Sequence, residues 1–214
     1  MKHLDFWFDP VSPFAYLAFE RLPQVLEGVS YEVSYRPVVF AAMLRHWGHK
    51  GPAEIEPKRA WTFRHVHWLA QQHGIALRTP TQHPFNPLAH LRLLLASAPA
   101  GGTPNRRCCE AVLRHIWLDG HDANDADRMA ALAQSLAPRI AADDASIKKA
   151  LRDSTDAAIA RGVFGVPTIG FDGRLFWGLD VLPMLAACLR GDPWFDGPAW
   201  DAEGAPRAGV QRRT

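Results

Sequence analysis

The chain has 214 residues, 48% of them hydrophobic and 21% charged, and a net charge of +2. That length is enough to bury a sizeable core in one domain, or in one domain carrying an insertion. The near-neutral balance excludes a basic field for nucleic acid, and no apolar stretch reaches the roughly 20 residues that a membrane span needs.

Residues 4–8 (LDFWF) are apolar and aromatic and run into Asp9-Pro10, which predicts a buried strand. Residues 14–27 carry Tyr16, Leu17, Phe19, Leu22, Val25 and Leu26 at helical spacing, and Gly28 closes them. Residues 30–39 (SYEVSYRPVV) alternate and predict a second strand, so the opening is a β-α-β unit with a parallel pair. From Phe40 to about Gly162 helical patterns dominate, with helices predicted over 57–74, 87–98, 105–120, 126–137 and 145–162. The β pattern returns at 166–171 (VPTIGF), turns at Asp172-Gly173 and continues over 174–177. A last helix is predicted over 179–190. From Gly191 the chain reads as a loosely held tail in which Trp194, Phe195 and Trp200 are the residues able to pin it.

The order is βαβ, a large all-helical insertion, then ββα. That predicts an α/β, thioredoxin-like domain built from 1–39 and 163–192, an insertion at 40–162 and a tail at 193–214. The first five residues, Met1-Lys2-His3-Leu4-Asp5, show no signal-peptide core. Three cysteines, two of them adjacent at Cys108-Cys109, give neither a disulfide framework nor a metal spacing, so a cytoplasmic setting is expected.

In a thioredoxin-like fold the turn between the first strand and first helix holds the reactive group, because unpaired N–H groups and the helix dipole meet there. Redox members place Cys-x-x-Cys at that turn. This chain has Ser12-Pro13-Phe14-Ala15, which excludes dithiol chemistry at that position. Far away in sequence, Gly165-Val166-Pro167-Thr168 looks like the cis-proline loop that faces the turn and offers its backbone to a peptide-like ligand. His46, His49, His65, His67 and His73 lack a recognised metal-ligand spacing, and His65 and His67 would point to different faces of a helix, so no metal is expected. Arg106-Arg107 and Arg212-Arg213 read as surface charge.

In these features the chain resembles the 2-hydroxychromene-2-carboxylate isomerases and the kappa-class glutathione transferases, a branch of the DsbA-like thioredoxin superfamily. The resemblance is carried by residues 9–18 (DPVSPFAYLA), 48–52 (GHKGP), 162–168 (GVFGVPT) and 176–180 (FWGLD). It implies glutathione as cofactor, with Ser12 contacting its sulfur, Val166 and Pro167 pairing with its cysteinyl backbone, and Trp177, Gly178, Leu179, Asp180 and Val181 holding its γ-glutamyl end. The family pattern there is Trp-Gly-x-Asp-Arg, and Val181 stands in the arginine's place. The substrate implied is a small aromatic carboxylate. Arg45, His49, Lys50 and Arg92 are the candidates to hold it; the family has an asparagine where His49 stands and a lysine near Leu44.

The implied reaction is the reversible interconversion of 2-hydroxychromene-2-carboxylate and trans-o-hydroxybenzylidenepyruvate, part of aromatic hydrocarbon breakdown, by thiolate addition, bond rotation and elimination. Magnitudes agree with this role for Ser12. Lowering a thiol pKa from about 8.5 by two units needs about 2.7 kcal/mol. A hydrogen bond to a charged sulfur gives about 1.5–3 kcal/mol, and a helix N-terminus adds about 0.3–1. Ser12 is thus expected to stabilise a thiolate and to cap the helix, with proline favoured at the first helical position. A kappa-like transferase and a DsbA-like peptide-binding module without redox activity are the alternatives, and the resemblance also implies a homodimer.

Overall fold

The computed structural model describes residues 1–198 and 200. It opens with β1 (Lys2–Phe8), α1 (Pro13–Val25) and β2 (Tyr31–Pro37). Then come α2 (Phe40–His46), a 3-10 turn (Pro52–Glu54), α3 (Glu56–Gln72), α4 (Leu88–Ala96), α5 (Arg106–Trp117), α6 (Ala126–Leu136) and α7 (Ala145–Ala160). β3 (Thr168–Phe171), β4 (Arg174–Trp177) and α8 (Leu182–Leu189) complete it. The strands form one sheet in the order β2-β1-β3-β4. β1 and β2 are parallel, with Leu4 opposite Val33 and Phe6 opposite Tyr35, whereas β3 runs antiparallel to both β1 and β4. This is the predicted α/β, thioredoxin-like order, with six α-helices between β2 and β3.

β1 is an inner strand, and its side chains alternate between two apolar bodies. Leu4, Phe6 and Phe8 join α1, α5 and α8 in the larger core, while Trp7 faces Val38, Met43, Val163 and Val166. The larger core is held by α5, whose Cys109, Val112, Leu113, Ile116 and Trp117 are fully buried along one stripe. Asn105 caps that helix, its side chain accepting from the Cys108 N–H at 2.9 Å.

One interior detail reverses a sequence expectation. Pro23 lies inside α1 and has no N–H for the Phe19 carbonyl four residues earlier. Arg106 fills that vacancy: its guanidinium donates to the Phe19 oxygen at 3.3 Å and to the Tyr35 hydroxyl at 3.1 Å, and lies 4.1 Å over the Phe19 ring. Arg106 is therefore a structural partner of α1 and not surface charge, whereas Arg107 is exposed as expected. Arg212 and Arg213 lie outside the described residues.

The β3–β4 hairpin turns at Asp172 and Gly173, both with positive φ (49° and 76°), as a two-residue turn matched to strand twist requires. Of the tail, Phe195 is buried against Phe176, with ring centroids 6.0 Å apart, and its carbonyl accepts from Arg174 at 2.8 Å. Trp200 also lies tilted against Phe176, ring centroids 5.9 Å apart, so the beginning of the tail is pinned; residues 199 and 201–214 lie outside the described residues. No helix among the described residues is long and apolar enough to cross a membrane.

Candidate active site

The turn between β1 and α1 is built from Asp9, Pro10, Val11 and Ser12. Ser12 is the N-cap of α1, extended at φ −87° and ψ 116°, and its hydroxyl accepts from the Ala15 N–H at 3.3 Å. Pro13 follows at the first helical position, where a missing N–H costs nothing. Two buried groups fix the turn from below. The Asp9 carboxyl, fully buried, accepts from the Val11 N–H and from the Phe40 N–H, each at 3.0 Å, which ties the turn to the start of α2. The Trp117 indole N–H donates to the Pro10 carbonyl at 2.9 Å. Burial pushes the Asp9 carboxyl up to about 7, against the pull of its two N–H donors.

Facing the turn is the loop before β3, where the Val166–Pro167 peptide is cis. Ser12 Oγ donates to the Val166 carbonyl at 3.4 Å across a sequence separation of 154 residues. The loop is braced at both ends: Thr168 Oγ1 donates to the Gly165 carbonyl at 2.7 Å, and the Gly178 N–H donates to the Pro167 carbonyl at 2.9 Å. Gly165 must be glycine here, because a Cβ would lie 2.5 Å from the Trp177 indole nitrogen. Gly178, at φ +107°, likewise leaves room for the Asp180 carboxylate, which a Cβ would meet at 2.5 Å.

A cleft of about 530 Å³ opens beside this meeting point. Val166, Pro167, Trp177, Gly178, Leu179 and Asp180 together form one wall. Ser12 is buried and does not itself line the cleft; its hydroxyl bonds the Val166 carbonyl, and Val166 and Phe14, two residues on, do line it. Val181 does not line it; its side chain packs against the larger core. Nor do Arg45, His49, Lys50 or Arg92: the first three are exposed on the last turn of α2 and the loop beyond, and Arg92 is half-buried on α4.

The opposite wall went unread in the sequence. α1 contributes Phe14, Arg21 and Val25, and α3 contributes His65, Leu69 and His73. The signal was present as spacings of 7 and 4 on α1 and of 4 and 4 on α3, each marking a single helix face. Around it, α3 displays an aromatic ladder in which His65 stacks between Trp61 and Trp68, 64% and 55% exposed. His67 points away and bonds Thr79 Oγ1 at 2.9 Å, the divergence from His65 that the spacing predicts. Among the described residues no group of three or more His, Cys, Asp or Glu is placed to hold a metal ion.

This arrangement can hold an anion. The start of α1 presents the Phe14 N–H and the Ser12 hydroxyl in a largely dry corner, where a charge-assisted hydrogen bond is strongest. It cannot exchange a disulfide, since no cysteine lines the cleft; Cys108, Cys109 and Cys188 are buried elsewhere, and burial pushes each thiol up.

A thioredoxin-like sheet, a helix-capping serine in the active turn and a cis-proline loop opposite it define the class. The chain belongs to the DsbA-like thioredoxin family, whose domain model matches residues 3–190. It is 28% identical over 200 residues to the 2-hydroxychromene-2-carboxylate isomerase of Sphingobium xenophagum, covering 88% of this chain and 98% of that one. It is 26% identical over 215 residues to glutathione S-transferase kappa 2 of Caenorhabditis elegans, covering 92% and 95%. Among solved structures, a 2-hydroxychromene-2-carboxylate isomerase superposes with a TM-score of 0.78 over 91% of this chain and 97% of the other, at 24% identity, a likeness of fold. The resemblance read from the motifs thus holds along most of the chain.

Proposed function

We propose that this protein is a glutathione-dependent cis-trans isomerase acting on small aromatic enone acids of the 2-hydroxychromene-2-carboxylate and trans-o-hydroxybenzylidenepyruvate type. The observation that carries the reading is the junction of Ser12 with the Val166 carbonyl, at the rim of a cleft running to Asp180. The residues present suit glutathione. The cleft's volume is within the ~300–1,000 Å³ usual for small-ligand sites. Its wall offers a cis-proline backbone for peptide-like pairing and a carboxylate, Asp180, for an ammonium. The small residues Gly165 and Gly178 keep that wall open.

Bound glutathione supplies a thiol that, once ionised, adds reversibly to an enone. Ser12 turns its hydroxyl proton toward the sulfur position, giving up its long bond to the Val166 carbonyl, while the α1 N-terminus favours the negative charge. Val166 and Pro167 fix the ligand's backbone so that its sulfur lies against Ser12. Phe14 and the exposed aromatic ladder of α3 offer flat apolar surface beside that point for an aromatic ring. The likeness to a kappa glutathione transferase along 92% of the chain favours one second reading, transfer of the same thiol to an electrophile.

Calorimetric titration with glutathione tests the common core of both. Binding to the wild type is expected to release close to one proton near neutral pH. Ser12→Ala is expected to bind with that release largely gone, because about 1.5–3 kcal/mol of thiolate stabilisation is removed. No binding at millimolar glutathione overturns the proposal and turns attention to extended peptides at Val166. Turnover of the chromene acid, against conjugation of an aryl halide, then separates isomerase from transferase.

A further inference from the structure

The cleft contains two charged groups without partners. Arg21, from α1, bonds only the neutral Gln24 side chain, at 2.8 Å, and Asp180 stands at the opposite wall. Neither takes part in any ion pair among the described residues, with each other or with a third group. A cation and an anion facing one cavity, too far apart to neutralise each other, are complementary to a ligand that carries both charges on one carbon. The free end of a γ-glutamyl group is such a zwitterion.

Position along the fold agrees. Arg21 is nine residues beyond Ser12, about 13 Å along the helix axis. Helical side chains lean back toward the N-terminus, which brings the guanidinium toward the middle of the cleft. The sulfur sits on the middle residue of the tripeptide, so the γ-glutamyl arm runs roughly 7 Å from a sulfur at Ser12, and the backward-leaning Arg21 side chain reaches toward its end. His73, across from Arg21, is held below its ordinary value first by burial and then by the Arg21 charge. It therefore stands neutral near pH 7, and Arg21 is the cation of this end of the cleft. Val181, the residue after Asp180, packs its side chain against the core and offers no charge there.

Resting on the glutathione reading above, we propose that Arg21 is the residue that receives the α-carboxylate of the γ-glutamyl group, with Asp180 receiving its ammonium. Specificity for γ-glutamyl thiols over simple thiols then comes from a pair split between α1 and the β4–α8 corner.

The test is a cycle between protein and ligand read by calorimetry, with unchanged thermal midpoints as the folding check. The probes are glutathione, 4-aminobutyryl-cysteinyl-glycine, which lacks only the α-carboxylate, and glutaryl-cysteinyl-glycine, which lacks only the amine. For the wild type, removal of the carboxylate is expected to weaken binding roughly 10- to 100-fold, the range of a charge-assisted hydrogen bond. Arg21→Gln is expected to lose a similar factor for glutathione and to bind glutathione and the decarboxylated probe within about threefold of each other. Arg21→Lys, which keeps the charge but not the fork, is expected to fall between them. Asp180→Asn is expected to show the matching indifference to the amine. If Arg21→Gln binds glutathione as the wild type does, or still discriminates the decarboxylated probe as strongly, this assignment falls while the glutathione reading stands. If the wild type binds no glutathione, both fall together.

Discussion

Trp117→Ala is expected to lower the free energy of unfolding by about 3–5 kcal/mol, the usual cost of emptying a buried aromatic site. The ring is fully buried at the end of α5, tilted against His83 at 5.8 Å, and its N–H holds the Pro10 carbonyl. The loss therefore acts on the active turn as well as on the core. Trp117→Phe separates the two contributions. It keeps most of the packed surface but leaves the Pro10 oxygen buried without its donor, a cost of about 1–3 kcal/mol. Urea melts give the stabilities, and glutathione titration of the Phe variant reports how far Ser12 depends on the anchor. A loss below 1 kcal/mol for Trp117→Ala would show that the turn stands without it.

The second large effect concerns pH. Asp9 has an ordinary value of 3.8 and is pushed by burial to about 7. Below pH 4 both the folded and the unfolded chain hold this proton, and Asp9 contributes no slope. Between 4 and 7 only the folded chain holds it, so stability falls as pH rises, by about 1.4 kcal/mol per unit and on the order of 4 kcal/mol in all. Above 7 the effect is complete and flat. His83, His90 and His115 titrate in the same window with the opposite sign, since burial lowers each of them, His90 to about 4. A variant comparison is thus needed to isolate Asp9.

Asp9→Asn removes the proton but offers one carbonyl where two N–H groups, of Val11 and Phe40, each now have an oxygen. The variant is expected to be less stable than the wild type at pH 4.5, by about 1–3 kcal/mol, and to close or reverse that gap at pH 7.5. Parallel stability profiles for the two proteins would sink the assignment of a raised carboxyl.

The frame of this fold was readable because its signals are local. The aromatic run before Asp9-Pro10, the alternation in β2 and the Asp172-Gly173 turn each specify an element without reference to distant chain. The helices at 56–72, 88–96, 106–117, 126–136 and 145–160 appear within a few residues of where the periodicity places them. α2 went unpredicted as a separate element, since seven residues make only two turns and its Phe-Ala-Ala-Met-Leu run suits strand or helix.

The site was legible on one side only. Ser12, Val166 and Gly178 belong to short stretches whose backbone roles mark them out. Arg21, His65 and His73 reach the cleft because α1 and α3 lie beside each other, and no local pattern tells a cleft-facing polar residue from a solvated one. Arg45, His49 and Lys50, chosen for their chemistry, stand exposed on the last turn of α2 and in the loop beyond it, away from the cleft lining. Arg106 shows the converse, since its partner is a vacancy that a proline creates some 83 residues earlier in the chain.

The three buried cysteines have a consequence for durability. Oxidants attack thiolates that are exposed, and here every cysteine sulfur is buried, with burial holding each thiol in its protonated form. On the proposed reading, in which glutathione carries the reactive sulfur, peroxide at the site would consume one molecule of a diffusible thiol and leave the cysteines untouched. The next glutathione to enter the cleft would then restore a working site with no reductase and no resolving cysteine, so the proposed chemistry separates the catalyst's lifetime from that of its reacting atom.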